Sequence, residues 1–158
     1  MSNQLSTAHN PEHTATLAEE LNKLLADYHL YYMNLRAVHW NVRGQSFFHL
    51  HEKFEEYYTE AAAFIDELAE RILALGHTPL HTYARMQEHA RLEARENLFE
   101  GHAAAVWILD LTKQVVKYHK TAIEAAEATG DDVTADLLTG NKQGLEKRAW
   151  MLAAYAAK

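Results

Sequence analysis

The sequence predicts an all-α protein: a four-helix bundle with a short extra helix in the long connection between its second and third long helices. Three observations carry this. Gly (6) and Pro (2) are scarce among 158 residues, and Ala, Leu, Glu and Lys are plentiful, a composition that favours long helices. Apolar residues recur at three- and four-residue spacing through four long segments. Breaks between those segments fall at Gly44, Gly76 with Pro79, and Gly130.

Residues 1–14 read as a flexible polar N-terminal arm, and residues 15–158 as a single domain with a substantial core. The first helix is expected over about 14–42, with an apolar stripe of Leu17, Leu21, Leu24, Leu25, Tyr28, Tyr32 and Leu35. The second runs over about 47–75 and stops at Gly76. Its core stripe is Leu50, Phe54, Tyr57, Ala61, Phe64, Ile65, Leu68, Ile72 and Leu75. A connection of about 23 residues follows, long for a bundle, with a short helix expected over 83–90. The third long helix is expected over about 97–129. Asp131 is placed to cap the fourth, which runs to about 155.

Composition also narrows function. There is no 18-residue apolar run, so no membrane span is expected. The N-terminal stretch lacks the basic and apolar regions of a secretory signal. No Cys is present, which excludes disulfides and thiolate metal sites and fits a cytosolic protein. The formal charge of −7 argues against general affinity for polyanions.

The densest chemistry lies between His39 and Glu70. His51 and Glu55 are one helical turn apart, as are Asp66 and Glu70. With His51 at 0°, the others fall at about 40°, 60° and 100° on a helical wheel. Imidazole plus carboxylate without sulfur suits iron, manganese or zinc. Yet Glu55 and Asp66 are eleven residues apart, roughly 16 Å on a straight helix. Metal–ligand bonds are about 2 Å, so one ion cannot reach both pairs on one chain. A second copy running antiparallel about a two-fold axis solves this, giving two equivalent sites per dimer. His39, ending the preceding helix, is placed to add a fifth ligand. Ala62 and Ala63, between the pairs, let a partner helix approach. Spacing alone leaves a metal site and an ordinary solvated face both open.

At these residues the chain resembles the Dps family, the twelve-subunit miniferritins of the ferritin-like superfamily. One signature reads His39, Trp40, Gly44, Leu50, His51, Glu55. The other reads Ile65, Asp66, Leu68, Ala69, Glu70, Arg71, Leu75, Gly76, Pro79. The resemblance extends through residues 130–136 and Trp150. One position departs: the acid after the second His is often Asp in the family and is Glu55 here.

The resemblance implies a ferritin-like bundle and a ferroxidase. Such a protein binds Fe(II) at a dimer interface through His39, His51, Glu55, Asp66 and Glu70. It oxidises the iron, preferably with hydrogen peroxide, and stores Fe(III) mineral in a hollow homododecamer that protects against oxidative stress. Trp40, adjacent to a ligand, becomes an oxidisable ring as well as a packing residue. Glu52, Glu56, Glu67 and Glu60 form an acidic stripe that charge pattern alone reads as a solvated face. In a shell, Glu52 and Glu56 become mineral nucleation ligands. Asp132 and Asp136, with Glu127, become the lining of a three-fold pore. The Glu-x-x-His pairs of ordinary ferritins are absent.

DNA binding is doubtful on charge. Residues 1–22 hold no Lys or Arg, whereas family members that bind DNA use basic arms and phosphate contacts. Twelve chains would carry about −84 formally. Two other readings stay open: a nucleoid-associated, DNA-compacting protein with secondary iron chemistry, and a structural shell bolted by a redox-silent metal.

Overall fold

The computed structural model describes residues 8–157, and residues 1–7 of the expected arm lie outside it. The described residues form five helices: α1 Pro11–Asn41, α2 Phe47–Ala74, α3 Tyr83–His89, α4 Gly101–Ala128 and α5 Asp132–Ala156. None is long and apolar enough to cross a membrane. The expected plan is present, four long helices with a short one in the crossover.

Two helix starts differ from expectation. α1 begins at residue 11 rather than 14, because Asn10 accepts the Glu12 N–H and Pro11 sits at the first helical position. Residues 11–14 therefore belong to the bundle. The buried Thr14 hydroxyl donates to the Leu75 carbonyl at 3.0 Å, tying α1 to the end of α2. α4 begins at 101 rather than 97. Asn97 takes a left-handed backbone with φ 60°, which ends any helix there. Glu100 is the cap, accepting N–H bonds from His102 and Ala103. Those two bonds hold its carboxyl below the ordinary range.

α1 packs on α2, α4 on α5, and α1 on α4, with α3 laid against α1. On α2, Leu50, Phe54, Tyr57, Ala61, Phe64, Leu68, Ile72 and Leu75 are buried, and Ile65 is partly so. On α1 the rings of Tyr28 and Tyr31 are fully buried, while Tyr32 stays partly exposed. Tyr31 is acceptable in the core because its hydroxyl pairs with Thr112 at 2.7 Å and accepts from Arg148 at 3.0 Å.

Three polar side chains of α1 clamp the long crossover. Asn22 accepts from Leu80 N–H and donates to the Thr78 carbonyl. Asp27, wholly buried, grips the Arg91 guanidinium at 2.7 and 2.9 Å. Burial pushes the Asp27 carboxyl up while Arg91 pulls it down, and burial prevails. Asn34 donates to the Glu93 carbonyl at 2.9 Å. At the other end, the Arg43 N–H reaches the Phe99 carbonyl at 2.7 Å. The α1–α2 turn and the start of α4 are thereby fixed to each other.

His119 on α4 is fully buried. Its Nδ1–H donates to the Val115 carbonyl at 3.0 Å, so Nε2 is the bare nitrogen and accepts from Asn141 at 2.9 Å. Burial pushes its pKa down from 6.5 to about 4. The unfolded chain binds this proton near 6.5, the folded chain only near 4, so the stabilisation is full above pH 6.5 and lost as pH falls towards 4. Its size is about 3 kcal/mol. Urea unfolding should therefore weaken across that window, and His119→Gln should flatten the pH dependence within it.

Candidate metal centre

The site begins with a tight turn. α1 ends at Asn41, Gly44 turns the chain at φ 105°, and α2 starts at Phe47. Such a φ is costly for a residue with a Cβ and free for glycine. The short link folds the last turn of α1 against the first turns of α2. His39 and His51 are thereby stacked, with ring centroids 3.8 Å apart and planes 13° from parallel.

Each histidine is held by the other's backbone. His39 Nδ1 lies 2.6 Å from the His51 carbonyl, and His51 Nδ1 lies 2.9 Å from the His39 carbonyl. A carbonyl oxygen only accepts, so each Nδ1 carries the hydrogen. In the neutral rings both Nε2 atoms therefore keep a lone pair. This is the tautomer a metal needs, set by backbone partners in the manner of an outer ligand shell. His39 is buried and His51 partly so. Phe47 stacks on the far side of His51 at 5.0 Å, and Tyr58 meets the His39 ring edge-on at 5.2 Å.

The carboxylates are arranged differently. Glu55, Asp66 and Glu70 are all exposed on α2, with Ala62 and Ala63 exposed between them. α2 is one continuous helix across this span, so the separation read from the sequence stands. Among the described residues, no three His, Asp or Glu side chains of one chain converge on a point that could hold an ion. The structure thus unites His39 with His51 and leaves the Asp66 and Glu70 pair at a distance along the same helix.

The other candidates have plain surroundings. Glu52 and Glu56 are exposed, and Glu56 pairs with Lys53 at 2.7 Å. The i, i+3 spacing of Lys53 and Glu56 was the available signal for that pairing. Trp40 is 52% exposed, and its ring lies under the Arg36 guanidinium at 4.6 Å. Residue 40 follows a site histidine in sequence, but one residue turns a helix by about 100°. The oxidisable ring that touches His39 is Tyr58, which sequence adjacency does not single out.

Glu127, Asp132 and Asp136 lie exposed around the α4–α5 turn. Asp131, between them, points inward. It caps α5 through the Thr134 N–H at 3.0 Å and binds Arg71 of α2 at 2.9 and 3.1 Å. Burial pushes its carboxyl up, but the bonds from Thr134 and Arg71 outweigh that and hold it below the ordinary range. Several of the remaining histidines make structural bonds. His13 reaches the Thr129 carbonyl, His77 the Pro11 carbonyl and Thr14 hydroxyl, and His102 the Ala156 carbonyl.

Comparison with known proteins identifies the family. The ferritin-like domain family matches residues 18–158. A DNA protection during starvation protein of Brevibacillus brevis is 41% identical over 138 residues, spanning 85% of this chain and 91% of its own. The chain belongs to the Dps family. A second Dps relative, from Porphyromonas gingivalis, is 38% identical and spans 93% of this chain and 92% of its own. The crystal structure of a Vibrio cholerae Dps protein, described as a member of the ferritin-like diiron-carboxylate superfamily, matches with a TM-score of 0.93 at 36% identity. That match covers 99% of this chain and all of the other.

The Dps fold thus splits the aspartates of this turn into two kinds, and stability measurements should separate them. Asp131→Ala leaves Arg71 without its partner in a largely buried setting and removes a helix cap, at a cost of about 2–4 kcal/mol. Asp132→Asn removes an exposed charge in the first turn of α5, at a cost of at most about 1 kcal/mol. Denaturant unfolding of the two variants tests the difference.

Proposed function

We propose that this Dps-family chain is a ferroxidase and iron store. Fe(II) is its substrate, oxidised preferably by hydrogen peroxide, and Fe(III) mineral is its cargo in a hollow homododecamer of about 216 kDa. His39, His51 and Glu55 of one subunit would share iron with Asp66 and Glu70 of the partner subunit. The observation that carries this reading is the stacked histidine pair with both Nε2 atoms bare.

The donor set fits the chemistry. Carboxylates are hard anionic ligands that stabilise Fe(III) more than Fe(II), and so favour oxidation. Two irons held together deliver two electrons to peroxide at once, which cleaves the O–O bond to water without releasing hydroxyl radical. Glu55, with one more methylene than Asp, reaches further from α2 and would adjust ligand spacing rather than abolish binding. Glu52 and Glu56 would nucleate mineral on the inner face, with Lys53 a competing cation that iron must displace from Glu56.

A composite site makes a sharp test. Asp66→Ala alone should abolish rapid peroxide-driven Fe(II) oxidation in stopped flow. Its stability should shift by no more than about 0.5 kcal/mol, because Asp66 is exposed. His51→Ala should abolish oxidation as well. Particles reassembled from a mixture of the two variants should regain part of the activity, since each mixed dimer holds one intact site. Failure of the mixture, with both variants folded and assembled, would place the ligands within one chain.

Admission of iron is a separate step. Glu127, Asp132 and Asp136 would line a three-fold pore whose negative potential draws in divalent cations. Replacing both Asp132 and Asp136 with Asn should slow oxidation most at low iron and low salt. Added salt should narrow the gap, because it screens the wild-type advantage. Equal rates at every salt concentration would leave these aspartates as surface residues of the helix start.

The family name raises DNA binding as a second reading, since relatives are called DNA protection proteins. The negative formal charge and the absence of Lys and Arg from residues 1–22 favour protection through iron and peroxide removal. A gel shift at low and moderate salt distinguishes the two.

A further inference from the structure

A ligand pair held by two short hydrogen bonds tolerates little movement of the turn that carries it. The α1–α2 turn rests on the start of α4, and the point of rest is a glycine. A Cβ placed on Gly101 would lie 2.8 Å from Leu50 Cδ1 and 3.8 Å from Val42 Cγ2. Val42 comes three residues after His39, and Leu50 immediately precedes His51. Gly101 therefore faces both flanks of the turn that brings the imidazoles together.

Space, rather than backbone freedom, is the reason for a glycine here. Gly44, Gly76 and Gly130 occupy positive φ, and Gly140 and Gly144 look onto open space. Gly101 does neither. It is buried in the first turn of α4, although glycine is a poor helix former.

We propose that Gly101 is a positioning residue for the His39 and His51 pair: the side chain it lacks is the room in which Leu50 seats the first turn of α2. This rests on the ferroxidase reading above, in which the pair supplies two ligands. A methyl group at residue 101 would crowd that seat. Carbon atoms pack at about 3.5 Å or more, so Leu50 Cδ1 would have to retreat by about 0.7 Å. Leu50 is 4% exposed, so its end has no solvent to swing into. α4 is held where it stands. The Arg43 N–H bonds the Phe99 carbonyl at 2.7 Å, and the Arg43 guanidinium lies over the Phe99 ring at 4.2 Å. Behind Gly101, His102 Nε2 donates to the Ala156 carbonyl at 3.0 Å, and the Tyr155 hydroxyl would be 3.9 Å from the added carbon. The displacement therefore passes along α2 to His51. There the Nδ1 atoms sit 2.6 and 2.9 Å from carbonyl oxygens and the rings are 3.8 Å apart. A shift of that size weakens both bonds. Outer support of this kind is worth about 10- to 100-fold in metal affinity.

The test compares Gly101→Ala with wild type in two measurements, neither of which uses turnover. One is the crystal structure of the metal-free protein. The other is Co(II) binding to the assembled protein, followed by visible absorption and by affinity. In Gly101→Ala the imidazole rings should slide apart or lose an Nδ1 bond. Co(II) affinity should fall about tenfold, with a changed spectrum. Adding Leu50→Val removes the clashing Cδ1 and should restore both geometry and affinity. Ile108→Val, which removes one carbon from the buried side of α4, should lower stability but leave the Co(II) spectrum as in wild type. An unchanged histidine pair in Gly101→Ala, no recovery in the double variant, or an equal spectral change in Ile108→Val overturns the proposal. If Gly101→Ala does not assemble, the double variant carries the test. Its assembly with the wild-type Co(II) spectrum supports the role, and its failure to assemble overturns it. If wild type binds no Co(II) at this pair, the ferroxidase reading falls, while the metal-free structures still decide whether Gly101 positions the histidines.

Discussion

Eleven residues of continuous helix hold Glu55 and Asp66 roughly 16 Å apart, and no choice of rotamer closes that distance to a shared ion. This constraint governs the chain. On the proposed reading, it divides one ligand stripe into two half-sites and makes each half insufficient alone. It also assigns separate duties to the two halves. The histidine half is built by the α1–α2 turn and is finished within the chain. The carboxylate half is held open, flanked by alanines, on a face that an identical helix can approach. A ligand set spread along a helix would be wasteful in a monomer. In a symmetric dimer it yields two sites from one stripe.

The histidine half shows how little chain is needed to set a proton. The five-residue link between α1 and α2 brings two imidazoles face to face, and each ring spends its Nδ1–H on the other's carbonyl. No acidic side chain is used for this. A carboxylate behind each histidine would add negative charge to a centre that, as proposed, already includes Glu55. A neutral carbonyl orients the ring without that charge. The arrangement also links site geometry to fold. The same turn carries Arg43, whose N–H bonds Phe99 and fixes the turn to the start of α4.

Much of this was legible in the sequence, for identifiable reasons. Helical periodicity and the Gly breaks located all five helices, because burial of one face and the loss of helix at glycine are local effects. The α1 start was readable too, from Asn10-Pro11-Glu12, but Thr14 is an equally acceptable cap by residue type. The α4 start was not, since nothing local marks Asn97 as left-handed. Tyr31 and Tyr32 differ by one residue, and only the distant partners Thr112 and Arg148 decide which of them is buried. The proposed ligand residues were singled out by spacing and by the two family signatures. The contact of Tyr58 with His39 was not, because it depends on which helix faces its ring.

A pattern in the polar side chains ties these points together. Those that hold the fold are satisfied inside the chain: Asp27 with Arg91, Asp131 with Arg71, His119 with Asn141, and Arg148 with Tyr31 and Glu60. Among the described residues no buried side-chain nitrogen or oxygen lacks a partner. The acids assigned to iron lie exposed on the surface instead. A buried carboxylate must be paired to be tolerated, and a paired carboxylate is a poor metal ligand. On the proposed reading, exposure would keep Glu55, Asp66 and Glu70 hydrated and available until a partner helix and a cation desolvate them together. Folding would then not depend on iron, and the proposed iron chemistry would wait on assembly. On the proposed reading, the free chain would thereby be kept from doing oxidative chemistry outside a shell that can contain its products.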